Sequence, residues 1–301
     1  MKQIIRRNML FVPGNTPSLF KDIIFYKPDT VMFDLEDSIS FEQKDAARQL
    51  TCRMINYFGY EKFDIETAVR INHWNTSFYS QDLEAVVNSK AQMIRLPKIE
   101  TKEEIWKVVQ DIEKIEKSIQ RKDKIVLFCA IESAKGVLNA IEIAQASNRV
   151  VGIALGGVDY LFDLQATRTE QRHELLFARQ MLVHAARAAK IDVFDCIYGK
   201  VRDLVGLEKE TKFAKELGFS GKSAIHPSQL DIIKKVFAPT TEEIENALKI
   251  INAYQIHLQK GQGVFTIDGQ MIDLPFVEHA RKLLIESKIP ISLSLNDEIR
   301  K

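Results

Sequence analysis

Cysteine is scarce in this chain: three in 301 residues, Cys52, Cys129 and Cys196, far apart and never in a C-x-x-C pair. That excludes a disulfide framework and argues against a zinc site, leaving reduced thiols in the cytoplasm as the simplest reading. Cys129 and Cys196 lie inside apolar runs and read as small core residues. An excess of charge of either sign is missing too. The net charge of +1 provides no bulk field to draw nucleic acid or anionic lipid. No apolar run approaches the ~18 residues of a membrane helix. The opening Met1-Lys2-Gln3-Ile4-Ile5-Arg6-Arg7 lacks the long apolar stretch of a signal peptide. Neither G-x-G-x-x-G after the first strand nor G-x-x-x-x-G-K-[ST] occurs, which counts against a nucleotide-binding, doubly wound sheet.

What is present is an alternation of short apolar runs with longer amphipathic ones. Strands are expected at residues 9–12, 30–35, 67–71, 92–96, 125–131, 150–155, 193–197 and 222–225. Several are apolar without alternation, as strands buried on both faces of a parallel sheet must be. Helical patterns fill the gaps. One starts at Thr101 with Glu104 in capping-box position and an apolar stripe through Ile105, Val108, Ile112 and Ile115; another starts at Thr240 with Glu243. Eight strand–helix alternations predict an α/β fold, a (β/α)8 TIM barrel over residues 1–259. Residues 260–301, broken by Gly261, Gly263 and Gly269, are expected to form an appended lid segment.

Barrel active sites lie at the C-terminal ends of the strands, and the polar residues of this chain collect there. The second strand ends Asp34-Leu35-Glu36-Asp37, the third Arg70-Ile71-Asn72 and the fourth Arg95-Leu96-Pro97-Lys98. The fifth ends Ile131-Glu132-Ser133, the sixth Gly156-Gly157-Val158-Asp159 and the eighth Ile225-His226-Pro227. Carboxylates recur without a His/Cys cluster, a donor set that suits Mg²⁺ or Mn²⁺ better than zinc. The same residues also fit a plainer reading. Arg70 can pair with Asp34 or Glu36, Lys98 with Glu132, and Asp34, Glu36 and Asp37 can shape the turn into the next helix.

Several segments resemble the citrate lyase beta subunit and its superfamily of HpcH/HpaI aldolase-like, malyl-CoA and citramalyl-CoA lyases. They include Met9-Leu10-Phe11-Val12-Pro13-Gly14, Met32-Phe33-Asp34-Leu35-Glu36-Asp37-Ser38, Arg95-Leu96-Pro97-Lys98, Ala130-Ile131-Glu132-Ser133 and Asp268-Gly269-Gln270-Met271-Ile272-Asp273. The likeness runs in order along nearly the whole chain. Val158 and His226 depart from the beta subunit, which has Glu and Asn there, and Tyr198 to Leu207 looks more like the citramalyl-CoA branch.

The resemblance implies a Mg²⁺-dependent carbon–carbon lyase that cleaves a 3-hydroxy acyl thioester, carried on coenzyme A or an acyl-carrier protein, into a keto acid and an acyl thioester. It implies that Glu132 and Asp159 bind Mg²⁺ and that Arg70 binds substrate. Phe11, Ile225 and His226 would lie near the thioester carrier. Asp273 would act as acid/base in a neighbouring subunit's site, within a homo-oligomer, expected as a trimer, with alpha and gamma subunits as further partners. Two rivals stand beside this: a Schiff-base aldolase using Lys98, and a non-catalytic subunit that kept only the fold.

Overall fold

A computed structural model describes residues 4–287 and residue 289. Eight parallel strands close a barrel in sequence order: β1 (Asn8–Pro13), β2 (Thr30–Asp34), β3 (Glu66–Arg70), β4 (Met93–Leu96), β5 (Val126–Ile131), β6 (Val150–Leu155), β7 (Asp192–Asp195) and β8 (Gly221–Ala224). β1 pairs with β8 to complete the ring. The expected (β/α)8 barrel is therefore the observed fold, because runs of Val, Ile, Leu and Phe this apolar must be covered on both sheet faces.

The helices around the barrel are α1 (Pro17–Tyr26), α2 (Lys44–Phe58), α3 (Tyr79–Asn88), α4 (Lys102–Ser118), α5 (Ala134–Leu138), α6 (Ala140–Ala144), α7 (Gly157–Asp163), α8 (Leu176–Ala189), α9 (Leu204–Leu217) and α10 (Leu230–Phe237). The capping box predicted at α4 is present: the Glu104 carboxylate accepts from the backbone N–H of Glu100 at 2.9 Å and of Thr101 at 3.4 Å.

Inside the ring, side chains alternate along each strand, and the inward positions build an apolar plug of Met9, Met32, Ala68, Met93, Phe128, Ala154 and Phe194. Two residues further along β2, β3 and β4, the same inward face carries Asp34, Arg70 and Arg95. These three are register partners, Asp34 opposite Arg70 and Arg70 opposite Arg95. A charged layer thus rests directly on an apolar floor.

Cys129 and Cys196 are buried, as expected, and burial pushes their thiols up to about 12 and about 11. On the outer side of β7 and β8, Asp195 accepts from Arg179 at 2.9 and 3.0 Å and from Lys222 at 2.7 Å, all three fully buried; Glu210 also joins Arg179 and Lys222.

A second compact unit begins at Ala238. It holds α11 (Thr241–Leu258), the hairpin β9 (Phe265–Ile267) and β10 (Gln270–Ile272), and α12 (Leu274–Glu286). Its own core includes Ile250, Ile251, Tyr254, Phe265, Val277 and Leu284. The boundary differs from the expected 259/260. α11 looked like a barrel helix in sequence, but it buries its stripe against α12 and the hairpin. The end of the expected lid, residues 290–301, lies outside the described residues.

Candidate active site

The C-terminal mouth of the barrel encloses a cavity of about 440 Å³, lined entirely by residues of the barrel unit. Phe11, Arg70, Glu132, Asp159 and Ile225 all line it, so five of the seven site residues expected from sequence come together. They do so because parallel strands of one barrel end on one rim.

Arg70 is held by carboxylates. Its Nε and Nη2 donate to the two oxygens of Asp34 at 2.7 and 2.8 Å, and its Nη1 lies 2.8 Å from Glu36 Oε2, an ion pair by distance that is not aligned as a hydrogen bond. Burial alone would lower the Arg70 guanidinium and raise the Asp34 carboxyl. The bidentate pair outweighs burial in both, holding Arg70 charged and Asp34 below its usual range. The ion pair allowed by the plainer reading is therefore real, and Asp34 occupies the donor fork that was expected for substrate.

Glu132 follows β5, two residues beyond Ala130 on the inward face, and is 6% exposed. Its Oε2 is buried with no hydrogen-bond partner among the described residues. Burial, helped by the charges of Glu36 and Asp159, pushes this carboxyl up to about 7, with Arg95 and Arg70 partly offsetting the rise. The space beside it exists only because residue 156 is glycine: a Cβ there would sit 2.4 Å from Glu132 Cγ. Asp159 enters the same cavity from the first turn of α7. An orphaned buried carboxylate oxygen, a second carboxylate on the same cavity and a glycine cradle between them fit a hard divalent cation.

Arg95 was not anticipated as a functional residue. It is 4% exposed, lies over the rings of Phe11 at 5.2 Å and Phe128 at 6.0 Å, and points Nη1 at Met9 Sδ, 3.6 Å away. Among the described residues its Nε has no hydrogen-bond partner and no carboxylate forms a salt bridge with it. Burial draws its guanidinium down to about 10, so it stays charged near neutral pH. The signal was one inward-facing cation in the otherwise apolar strand Met93-Ile94-Arg95-Leu96. Ser223, on β8, lines the cavity as well, and its buried Oγ also lacks a partner.

His226 and Asp273 are not among the lining residues. Exposed His226 does not line the cavity; its Nδ1 accepts from the Ser228 backbone N–H at 3.2 Å and caps the turn before α10. Asp273 belongs to the C-terminal unit, where it precedes α12 without a side-chain capping hydrogen bond and with its Oδ1 buried and unpartnered among the described residues. The plainer reading allowed Lys98 to pair with Glu132. Instead it meets Glu36 at 2.8 Å and Asp37 at 3.4 Å. Burial lowers its ammonium, but Glu36 and the neighbouring charges outweigh that and keep it protonated, the wrong state for a Schiff-base nucleophile. The cluster of Asp195, Cys196 and Glu210 is compact enough to suggest a metal site. Arg179 and Lys222 already neutralise it. Among the described residues no helix is long and apolar enough to cross a membrane.

A parallel barrel with carboxylates and arginines converging at its C-terminal mouth defines the class: an α/β-barrel enzyme with a cation-ready site. The chain belongs to the HpcH/HpaI aldolase/citrate lyase family, whose model matches residues 7–227, and with that membership it is a carbon–carbon lyase. It is 42% identical over 281 residues to the citrate lyase subunit beta of Leuconostoc mesenteroides subsp. cremoris, covering 93% of this chain and 92% of that one. It is 31% identical over 293 residues to the mitochondrial citramalyl-CoA lyase of Homo sapiens, covering 93% and 85%. Among solved structures it matches protein CitE from Mycobacterium tuberculosis in complex with magnesium, acetoacetate and coenzyme A, with TM-score 0.77, 27% identity, and 94% and 98% coverage.

Proposed function

We propose that this chain cleaves a 3-hydroxy acyl thioester of the citryl type into a keto acid and an acyl thioester, as the beta subunit of a citrate lyase. One observation carries the reading: the orphaned, buried Glu132 carboxylate shares a single cavity with Asp159 and two guanidinium groups. The relatives named citrate lyase subunit beta and the magnesium- and coenzyme A-bound structure support it.

Glu132 and Asp159 would hold Mg²⁺, which when bound acidifies the substrate hydroxyl and neutralises the adjacent carboxylate. Loss of the hydroxyl proton lets the Cα–Cβ bond break. Its electron pair stays with the thioester carbon as an enolate, which then takes up a proton. Arg70, oriented by Asp34, supplies its remaining N–H groups to the developing oxyanion and cannot lose its own proton. Phe11 keeps both guanidinium groups in place through its ring face. Ile225, which lines the cavity, would lie along the thioester arm, with His226 next to it in the chain.

We assign Asp273 the proton-transfer role, acting in a neighbouring copy within a trimer that works beside alpha and gamma subunits. Three free thiols suit a cytoplasmic setting.

The test is a panel of citryl, citramalyl and malyl thioesters, on coenzyme A and on acyl-carrier protein, assayed for keto-acid release with Mg²⁺ and with EDTA. Release from the citryl thioester that EDTA abolishes is expected. No release from any thioester, or release indifferent to EDTA, rejects the reading.

A further inference from the structure

The floor of the cavity is polar in a way the cation site does not explain. Arg95 rests on the apolar plug, against Met9 and Phe128, and is almost wholly buried with no salt bridge to a carboxylate among the described residues. Its register neighbours on β3 and β5 are Arg70 and Phe128. Ser223, at 2% exposure, stands opposite Met9 on the adjoining strand β8, and its Oγ is likewise unpartnered. Glu132, Glu36 and Asp34 act on the Arg95 cation only through space and none forms a salt bridge with it, so an anion in direct contact would complete it. A guanidinium and a hydroxyl that line one cavity suit a carboxylate.

The direction of the substrate decides which carboxylate that is. A coenzyme or carrier-protein arm is too large for the cavity and must leave through the mouth. The keto-acid end therefore faces the closed floor, while the hydroxyl and the carboxylate beside the breaking bond lie with Glu132 and Asp159 higher up. A monocarboxylic keto acid has nothing left to offer Arg95, whereas a dicarboxylic one does.

We infer that Arg95 and Ser223 form a floor subsite for the distal carboxylate of the keto-acid half, and so select substrates that release a dicarboxylic 2-oxo acid over those that release a monocarboxylic one. The inference rests on the lyase reading for the substrate's orientation. Arg95 acts here as a specificity-determining residue and takes no part in proton movement.

The test is calorimetric binding of oxaloacetate and of pyruvate to the Mg²⁺-loaded protein, wild type against Arg95→Met and Ser223→Ala. Met suits the surroundings of Met9, Met93 and Phe128, and thermal unfolding checks that Arg95→Met is folded; Ser223→Ala removes a single hydroxyl and probes the same subsite independently. Wild type is expected to favour oxaloacetate. Arg95→Met should lose oxaloacetate affinity by about ten- to a hundredfold, with pyruvate affinity unchanged. Ser223→Ala should show the same selective loss, by a smaller factor. A wild type that does not discriminate, an Arg95→Met that still does, or an equal loss for both keto acids overturns the inference. Failure of the wild type to cleave any thioester, with the binding preference intact, counts against the lyase reading alone.

Discussion

Gly156→Ala is the sharpest test of the cation site, because it adds one methyl group and no charge. The backbone at residue 156 has φ −91°, which alanine tolerates, so the fold should be retained. The new Cβ would lie 2.4 Å from Glu132 Cγ, 2.7 Å from Cδ and 2.8 Å from Oε1, where ordinary contact begins near 3.4 Å. Glu132 must therefore retreat by about 1 Å. Its free Oε2 has no hydrogen bond to hold it against that push. Coordination distances tolerate only about 0.2 Å, so the displaced oxygen no longer reaches a cation held by Asp159. Changes that misplace a ligand typically cost ten- to a hundredfold in metal affinity, about 1.4–2.7 kcal/mol. Calorimetric titration with Mg²⁺ or Mn²⁺ reads this directly, with thermal melting as the control for folding. Gly157→Ala is the paired comparison. Its Cβ would meet Cys196 at 3.1 and 3.2 Å, a crowding of a few tenths of an ångström away from Glu132, and should change affinity little. A folded Gly156→Ala protein that binds the cation as tightly as wild type would refute the assignment of Glu132 as ligand.

Other consequences follow from the charged groups. Arg70→Lys replaces a two-pronged contact with Asp34 by a single point charge; turnover should fall by at least about tenfold and stability by about 1–3 kcal/mol, and near-normal turnover would reduce Arg70 to a dispensable ion-pair partner. Burial alone would raise the Asp195 carboxyl, but Lys222 and Arg179 outweigh it and hold it well below the usual range. Its folded value lies below its unfolded value of ~3.9, so this stabilisation is fully present above that pH and is lost as pH falls through the folded value. Urea unfolding across the acid range should show the loss in wild type and a flatter profile in Lys222→Met, whose stability at neutral pH should drop by about 3 kcal/mol; identical profiles would contradict it. Mixing Asp273→Asn with Arg70→Ala, each inactive alone, should restore part of the activity once subunits exchange. No recovery after verified exchange would remove Asp273 from a role in trans.

The sequence by itself determined the barrel and the rim. Continuous apolar runs separated by amphipathic helices allow few folds other than a parallel ring, and such a ring brings every strand's last residues to one mouth. Glu132 and Asp159 were readable as neighbours for that reason, although 27 residues apart in sequence. Tertiary structure alone decided which charges satisfy one another. In sequence Arg70 and Arg95 are alike, each an arginine near the end of an apolar strand. In the barrel, register sets Arg70 beside Asp34, while Arg95 falls between Arg70 and Phe128 and forms no salt bridge among the described residues. The same pairing diverts Lys98 from Glu132 to Glu36 and Asp37. Helix α11 illustrates the limit on the packing side: its period announces a buried face, but not which surface buries it, and only contact with α12 and the hairpin assigns it to the C-terminal unit. Periodicity is local and survives in one dimension, whereas partner choice depends on strand register and on which surfaces meet, and both exist only once the chain has closed on itself.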